Sequence, residues 1–133
     1  MPIFNFDTPF VFWTKVNNHK QIKDTLVPIV KMLSKNNDST VTVDGSTTTY
    51  YHQKYSYFTN DMLEDIIWKP LEQMHDEKNI SKPQGYNLDA LWWNNYMHGG
   101  RTKVHSHQRA DWSGIYLLHL EEQNTTTFYS HYG

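Results

Sequence analysis

The apolar residues of this chain change their spacing part-way along it, and that change constrains the fold more than any other feature. In two stretches before about residue 80, apolar side chains recur every three or four positions, the repeat of one helix face. From Gly85 onward they alternate, as residues on a pleated strand do. The first helical stripe is Ile22, Leu26, Ile29, Val30 and Leu33. Asn17 and Asn18 stand ahead of it as candidate caps, since a short amide side chain accepts from the first free N–H groups of a helix. Pro28 lies inside the stripe, where it lacks a donor and crowds the preceding turn, so a kink or a later helix start is expected. "SKNNDST" ends the pattern. The second stripe is Met62, Leu63, Ile66, Ile67, Leu71 and Met74, opened by Thr59 or Asn60 and disturbed by Pro70. "DEKNISKPQGY" follows as a polar connection.

The strand candidates are more numerous. Residues 3–16 are aromatic and loosely alternating, which predicts one or two strands broken at Asp7, Thr8 and Pro9. "TVTVDGSTTTYY" reads as a strand, an Asp-Gly turn and a second strand. "LDALWWNNYM", "RTKVHSH", "WSGIYLLHL" and "TTTFYSHY" then predict four strands joined by short polar links. Helices first and strands later give an α+β protein, mainly β with flanking helices. One domain over 1–133 is expected, with a helical and β part over 1–84 and the strand-rich part over 85–133.

Composition removes several kinds of function. The chain has no cysteine. Disulfides, thiolate metal sites and cysteine nucleophiles are excluded. Any metal must be held by imidazole, carboxylate or water, which suits iron, manganese, nickel, copper or a catalytic type of zinc site. The net charge is −2 with no long run of one sign, so no nucleic-acid partner is expected. "MPIFNFDTPFVFWTK" lacks a basic leader and carries Asp7, so it makes a poor signal peptide. No stretch approaches the ~18 apolar residues of a membrane span. A soluble cytoplasmic protein with no membrane partner is expected, and the Asn-x-Ser/Thr triplets at Asn37, Asn79 and Asn124 then carry no glycan. No P-loop, Rossmann fingerprint or G-x-S-x-G occurs.

The chemistry concentrates in "GGRTKVHSHQRADWSGIYLL", residues 99–118. On a strand, His105 and His107 point the same way, and two imidazoles at that spacing reach one ion. The same spacing also fits a wet strand face, with Lys103, His105 and His107 alternating against Thr102, Val104 and Ser106. Gly99 and Gly100 permit a tight turn just ahead. Cupins offer a further reading, because Gly99, His105 and His107 fit G-x5-H-x-H, with Asp111 in place of the usual glutamate and Gly114 too early.

"HSHQRADWSGIYLL", with His105, His107, Ser113, Gly114 and Tyr116, resembles the Fe(II)/2-oxoglutarate-dependent dioxygenase superfamily, and within it a branch of oxygenases from marine bacteria and their phages. "WWNNYMHGG" is similar to the strand and turn that lead into that family's metal motif, and "TTTFYSH" to its next strand. The resemblance covers about residues 85–133. It implies a double-stranded β-helix, or jelly roll, and non-haem Fe(II) with 2-oxoglutarate as cosubstrate. His105 and His107 would be metal ligands, with His107 standing where many relatives carry a carboxylate. Tyr96, Tyr116 and Asn94 would line the cosubstrate pocket. The family also needs a distal histidine and a basic residue after it. His131 comes too soon, and Arg101 and Arg109 are out of place. The resemblance therefore implies a C-terminally incomplete or inactive member, its substrate a small molecule or a protein side chain, in host cytoplasm if the source is viral. The rival expectation is a non-catalytic jelly-roll module that pairs as a homodimer through an open sheet edge.

Other histidines are expected to be structural. His75, Asp76 and Glu77 read as a solvated helix end, His98 as exposed, and His119 as half-buried and satisfied. Trp92 and Trp93 are expected on opposite faces, one of them in the core.

Overall fold

The computed structural model describes residues 10–35, 40–41, 45–48, 57–103, 105, 107, 109–121 and 126–128. Helix α1 spans His19–Leu33. Its Ile22, Leu26 and Leu33 are buried, and Leu33 at 1% exposure is the most enclosed side chain described. Ile29 and Val30 of the expected stripe are half-buried. Asn18 is the residue before the first turn, in left-handed backbone with φ 57°, and its side chain does not cap the helix. The amide instead donates to the Asp65 carboxylate at 2.9 Å. Pro28 neither starts nor ends α1, which runs through it.

A second helical stretch runs from Asn60 to Lys78 as α2 (Asn60–Leu63), a π-helical turn (Glu64–Trp68) and α3 (Lys69–Lys78). The Thr59 hydroxyl accepts from the Met62 N–H at 3.2 Å, the expected cap. The π turn lies immediately before Pro70. Pro70 has no N–H for the Ile66 carbonyl and its ring crowds that oxygen, so the backbone widens until the Lys69 N–H bonds to Glu64. Of the expected buried stripe, Met74 is buried and the other members are half-buried. Asn79, with φ 51°, closes the helix, and the Asn79 and Ile80 N–H groups return to the carbonyls of Asp76 and His75. This is the double closure that a left-handed residue after a helix permits.

Strands β1 (Thr40–Val41), β2 (Ser46–Thr48) and β3 (Asn94–Tyr96) form one antiparallel sheet in the order β1–β2–β3. The hairpin expected in "TVTVDGSTTTYY" is present, with Thr40 opposite Thr48 and Val41 opposite Thr47. β2 is central, and Ser46, Thr47 and Thr48 are all buried. Helix α1 meets the sheet through a polar node. The Ser34 hydroxyl donates to the Val30 carbonyl at 2.7 Å and accepts from Thr47 Oγ1 at 3.2 Å and Asn95 Nδ2 at 3.1 Å. Its donor and both acceptor sites are thereby used, as burial requires.

The jelly roll expected from the sequence is not what the chain forms. The described residues carry two helical stretches and a small sheet, so this is not a mainly β fold. Of the four strands expected after Gly85, only Asn94–Tyr96 is paired among the described residues. Beyond β3, the Met97 N–H donates to the Gly45 carbonyl at 2.9 Å, and a turn closed by Gly100 N–H on the Met97 carbonyl at 2.8 Å leads the chain off the sheet. Alternation records which face a strand would bury; it does not supply a neighbouring strand to bond to. Residues 10–16, part of the strand stretch expected over 3–16, carry no strand, while 3–9 and most of 122–133 lie outside the described residues. Among the described residues no helix is long and apolar enough to cross a membrane.

Candidate metal centre

The turn Met97–Gly100 delivers the histidine pair. Gly99 has φ 73°, a conformation that suits glycine at the third position of such a turn. Gly100 packs its backbone against Gly45, where an added Cβ would lie 2.2 Å from the Gly45 carbonyl oxygen. The start of the segment that carries the pair is thus held against the hairpin at Gly100, while His105 and His107 themselves lie on irregular chain and not on a strand. Both side chains are exposed.

Their rings are 5.0 Å apart between centroids and inclined by 75°. The Nδ1 of His105 lies 2.8 Å from the Lys103 carbonyl oxygen. A carbonyl only accepts, so Nδ1 carries the proton, and the neutral ring keeps its lone pair on Nε2. A histidine ligand is ordinarily oriented in this way, one nitrogen donating to a carbonyl and the other facing the ion. His107 packs against Trp92, with ring centroids 5.9 Å apart. Among the described residues no group of three histidine, aspartate or glutamate side chains is placed to hold a metal.

The expected cosubstrate residues have other partners. Tyr96 hydrogen-bonds to the Thr102 hydroxyl. The Tyr116 hydroxyl lies 2.6 Å from Nδ1 of His19, at the start of α1, and burial pushes this phenol above its ordinary pKa of 10.0. Asn94 shares the exposed face of β3 with Tyr96 and stands opposite Thr48. Arg101 and Arg109 are exposed. Shallow depressions lie along α1, one lined by Asn18, Lys20, Gln21, Asp24 and Thr25, the other by Lys23, Asp24, Val27 and Pro28. Neither holds an expected site residue. The described residues bring two imidazoles together without a third ligand, and they do not converge on a 2-oxoglutarate pocket.

Three further placements differ from expectation. His75 is not a solvated helix end. It is 3% exposed, packed between Tyr86 and Trp112 with centroids 5.8 and 5.9 Å away, and its Nδ1 lies 3.2 Å from the Ile80 carbonyl. The left-handed closure at Asn79 folds Ile80 and the following chain back over this helix end, which covers the ring. His119 is exposed, with Nε2 3.1 Å from a Glu121 carboxylate oxygen. Trp92 and Trp93 are both half-buried. Sequence reasoning also missed the Asn18–Asp65–Lys69 cluster. Lys69 Nζ lies 2.7 Å from Asp65, and this contact first, then the Asn18 amide, holds the carboxyl below its ordinary range. The Asp65–Lys69 spacing of four was a readable signal; the link to Asn18 was not.

Comparison with protein-family models, with curated proteins and with solved structures finds no match.

Proposed function

We propose that this chain binds a divalent first-row transition metal through His105 and His107, with water in the remaining positions. The observation that carries the reading is the ring separation. Two imidazoles bound at metal–nitrogen distances of ~2.1 Å place their centroids about 4.5–5.3 Å apart for ligand angles between octahedral and tetrahedral. The separation of 5.0 Å falls within that interval. The Lys103 carbonyl supports it by leaving the His105 Nε2 lone pair free.

Oxygenase chemistry with Fe(II) and 2-oxoglutarate rests on the likeness of the sequence around His105, His107 and Tyr116 to that superfamily. Bound iron would supply the oxygen activation; the protein's share is to present the two imidazoles and to orient them. Anaerobic Fe(II) titration of the full chain tests the metal reading. Stoichiometric binding is expected, weakened at least about tenfold by His105→Ala. A visible charge-transfer band that forms only when 2-oxoglutarate is added would support the oxygenase. Iron binding without that band would favour a metal protein that does not use 2-oxoglutarate. Absence of Fe(II), Mn(II) and Zn(II) binding would overturn the metal reading.

A further inference from the structure

The metal reading leaves the most enclosed histidine of the described residues unused. His75, near the end of α3, is buried between Tyr86 of the chain that follows the helix and Trp112 of the segment 109–121. Tyr86 stacks in turn on Trp68, with centroids 5.9 Å apart, and Trp112 packs against Phe10 at 6.0 Å. One imidazole thus joins the helix to two later segments. Its Nδ1 lies 3.2 Å from the Ile80 carbonyl oxygen, which only accepts, so Nδ1 carries the proton and Nε2 the lone pair. Nε2 is enclosed, and among the described residues it is the only buried side-chain nitrogen or oxygen without a hydrogen-bond partner. A bare lone pair costs little beside a bare charge.

We propose that His75 is a pH-sensitive latch: neutral, its ring holds the Tyr86 connection and the Trp112 segment on the end of α3; protonated at Nε2, it releases them. The added proton creates a charge and an N–H with no acceptor inside an enclosure, and both costs vanish once the ring reaches water. Opening therefore takes up one proton, and acid favours it. Histidine changes charge between about pH 5 and 8, so the latch works near neutrality. The charged groups around the ring do not offset this. On α3, Glu72 and Asp76 are exposed, and Lys82 Nζ already lies 3.3 and 2.8 Å from their carboxylates. Glu77 accepts from the Gln73 amide. Lys78, on the same last turn, sits over the Phe10 ring at 4.6 Å and adds a like charge. Asp89, beyond Tyr86, is exposed, and so are Arg109 and Asp111, of opposite sign, ahead of Trp112. The helix C-terminus and the aromatic faces favour a cation. They act on charge alone and give Nε2–H no acceptor.

Amide hydrogen exchange of the chain at about pH 7 and pH 5, without added metal and corrected for the intrinsic effect of pH, tests this. One proton taken up on opening changes the opening constant by up to about tenfold per pH unit. The Ile80 N–H closes the helix on the His75 carbonyl at 3.0 Å, and its protection is expected to fall at least about tenfold, while amides around Leu26 in α1 keep theirs. Tryptophan emission is expected to shift over the same range and to lose most of that shift in Trp112→Phe. His75→Phe keeps a ring between Tyr86 and Trp112 without a titrating nitrogen and is expected to abolish both changes. His19→Gln removes the imidazole that meets Tyr116 and is expected to leave them in place. Unchanged protection at Ile80 in the wild type, or a loss shared equally by α1, would overturn the proposal, and both are read without any variant. So would changes that survive His75→Phe, that vanish in His19→Gln, or an emission shift that Trp112→Phe leaves whole.

Discussion

At the scale of single residues, the tightest constraint is a contact between two glycines. The backbone of Gly100 sits against the Gly45 carbonyl, and Gly45 itself has φ 80°. An added methyl at Gly100 would lie 2.2 Å from that oxygen and 2.9 Å from the Met97 oxygen, both backbone atoms that do not swing aside. Gly100→Ala is expected to lower stability by about 1–3 kcal/mol, read as a drop in the denaturant midpoint. Gly85→Ala serves as the control, since nothing lies within 4 Å of its added Cβ, and a change within ~0.5 kcal/mol is expected. An unaltered midpoint for Gly100→Ala would show that the hairpin and the turn before His105 do not pack as described. The sequence showed the glycine pair and the turn. It did not show Gly45, which lies more than fifty residues earlier.

At the scale of elements, α1 carries a defect that local sequence makes and packing tolerates. Pro28 deprives the Asp24 carbonyl of its helical donor, yet α1 continues to Leu33 because Leu26 before the proline and Leu33 after it are buried together with Ile22. Proline inside a helix costs about 3 kcal/mol relative to alanine. Replacing it also frees the unfolded chain, which returns about 0.4–1 kcal/mol to that state. Pro28→Ala is therefore expected to stabilise the protein by about 2 kcal/mol, measured as a rise in Tm; a fall would mean that the proline shapes α1 to fit the sheet. The contrast with Pro70 is instructive. There the same missing donor is absorbed by a π-helical turn, and the helix continues to Lys78. Both stripes were legible because helix periodicity depends on residues three and four apart. The route by which each helix absorbs its proline was not, because that depends on what packs beside it.

At the scale of the whole molecule, distant segments are joined by a few polar and aromatic contacts. Asn18 meets Asp65, Thr14 meets Gln73, Phe10 packs against Trp112, and His19 meets Tyr116 across 97 residues of chain. Burial raises the Tyr116 pKa above its ordinary 10.0, so the folded state holds the phenol proton more firmly than the unfolded state. The stability from this effect is fully present below about pH 10 and is lost as pH rises through the folded value. Equilibrium unfolding followed against pH is expected to show that alkaline loss in the wild type, and Tyr116→Phe is expected to remove this component. An identical alkaline slope in the variant would place the titration elsewhere. The sequence by itself determined both helical stripes, a cap at Thr59 or Asn60, the pairing of the strands on either side of Asp44 and Gly45, the turn at Gly99 and the absence of thiolate chemistry, because each follows from residues close together in the chain. Tertiary structure alone decided that "WSGIYLLHL" is irregular chain with no strand pairing among the described residues, that His75 is enclosed by Tyr86 and Trp112, and that Tyr116 turns toward His19. A strand needs a partner for its backbone groups, and an enclosed ring needs others around it. Those partners come from far along the chain, where local periodicity carries no information.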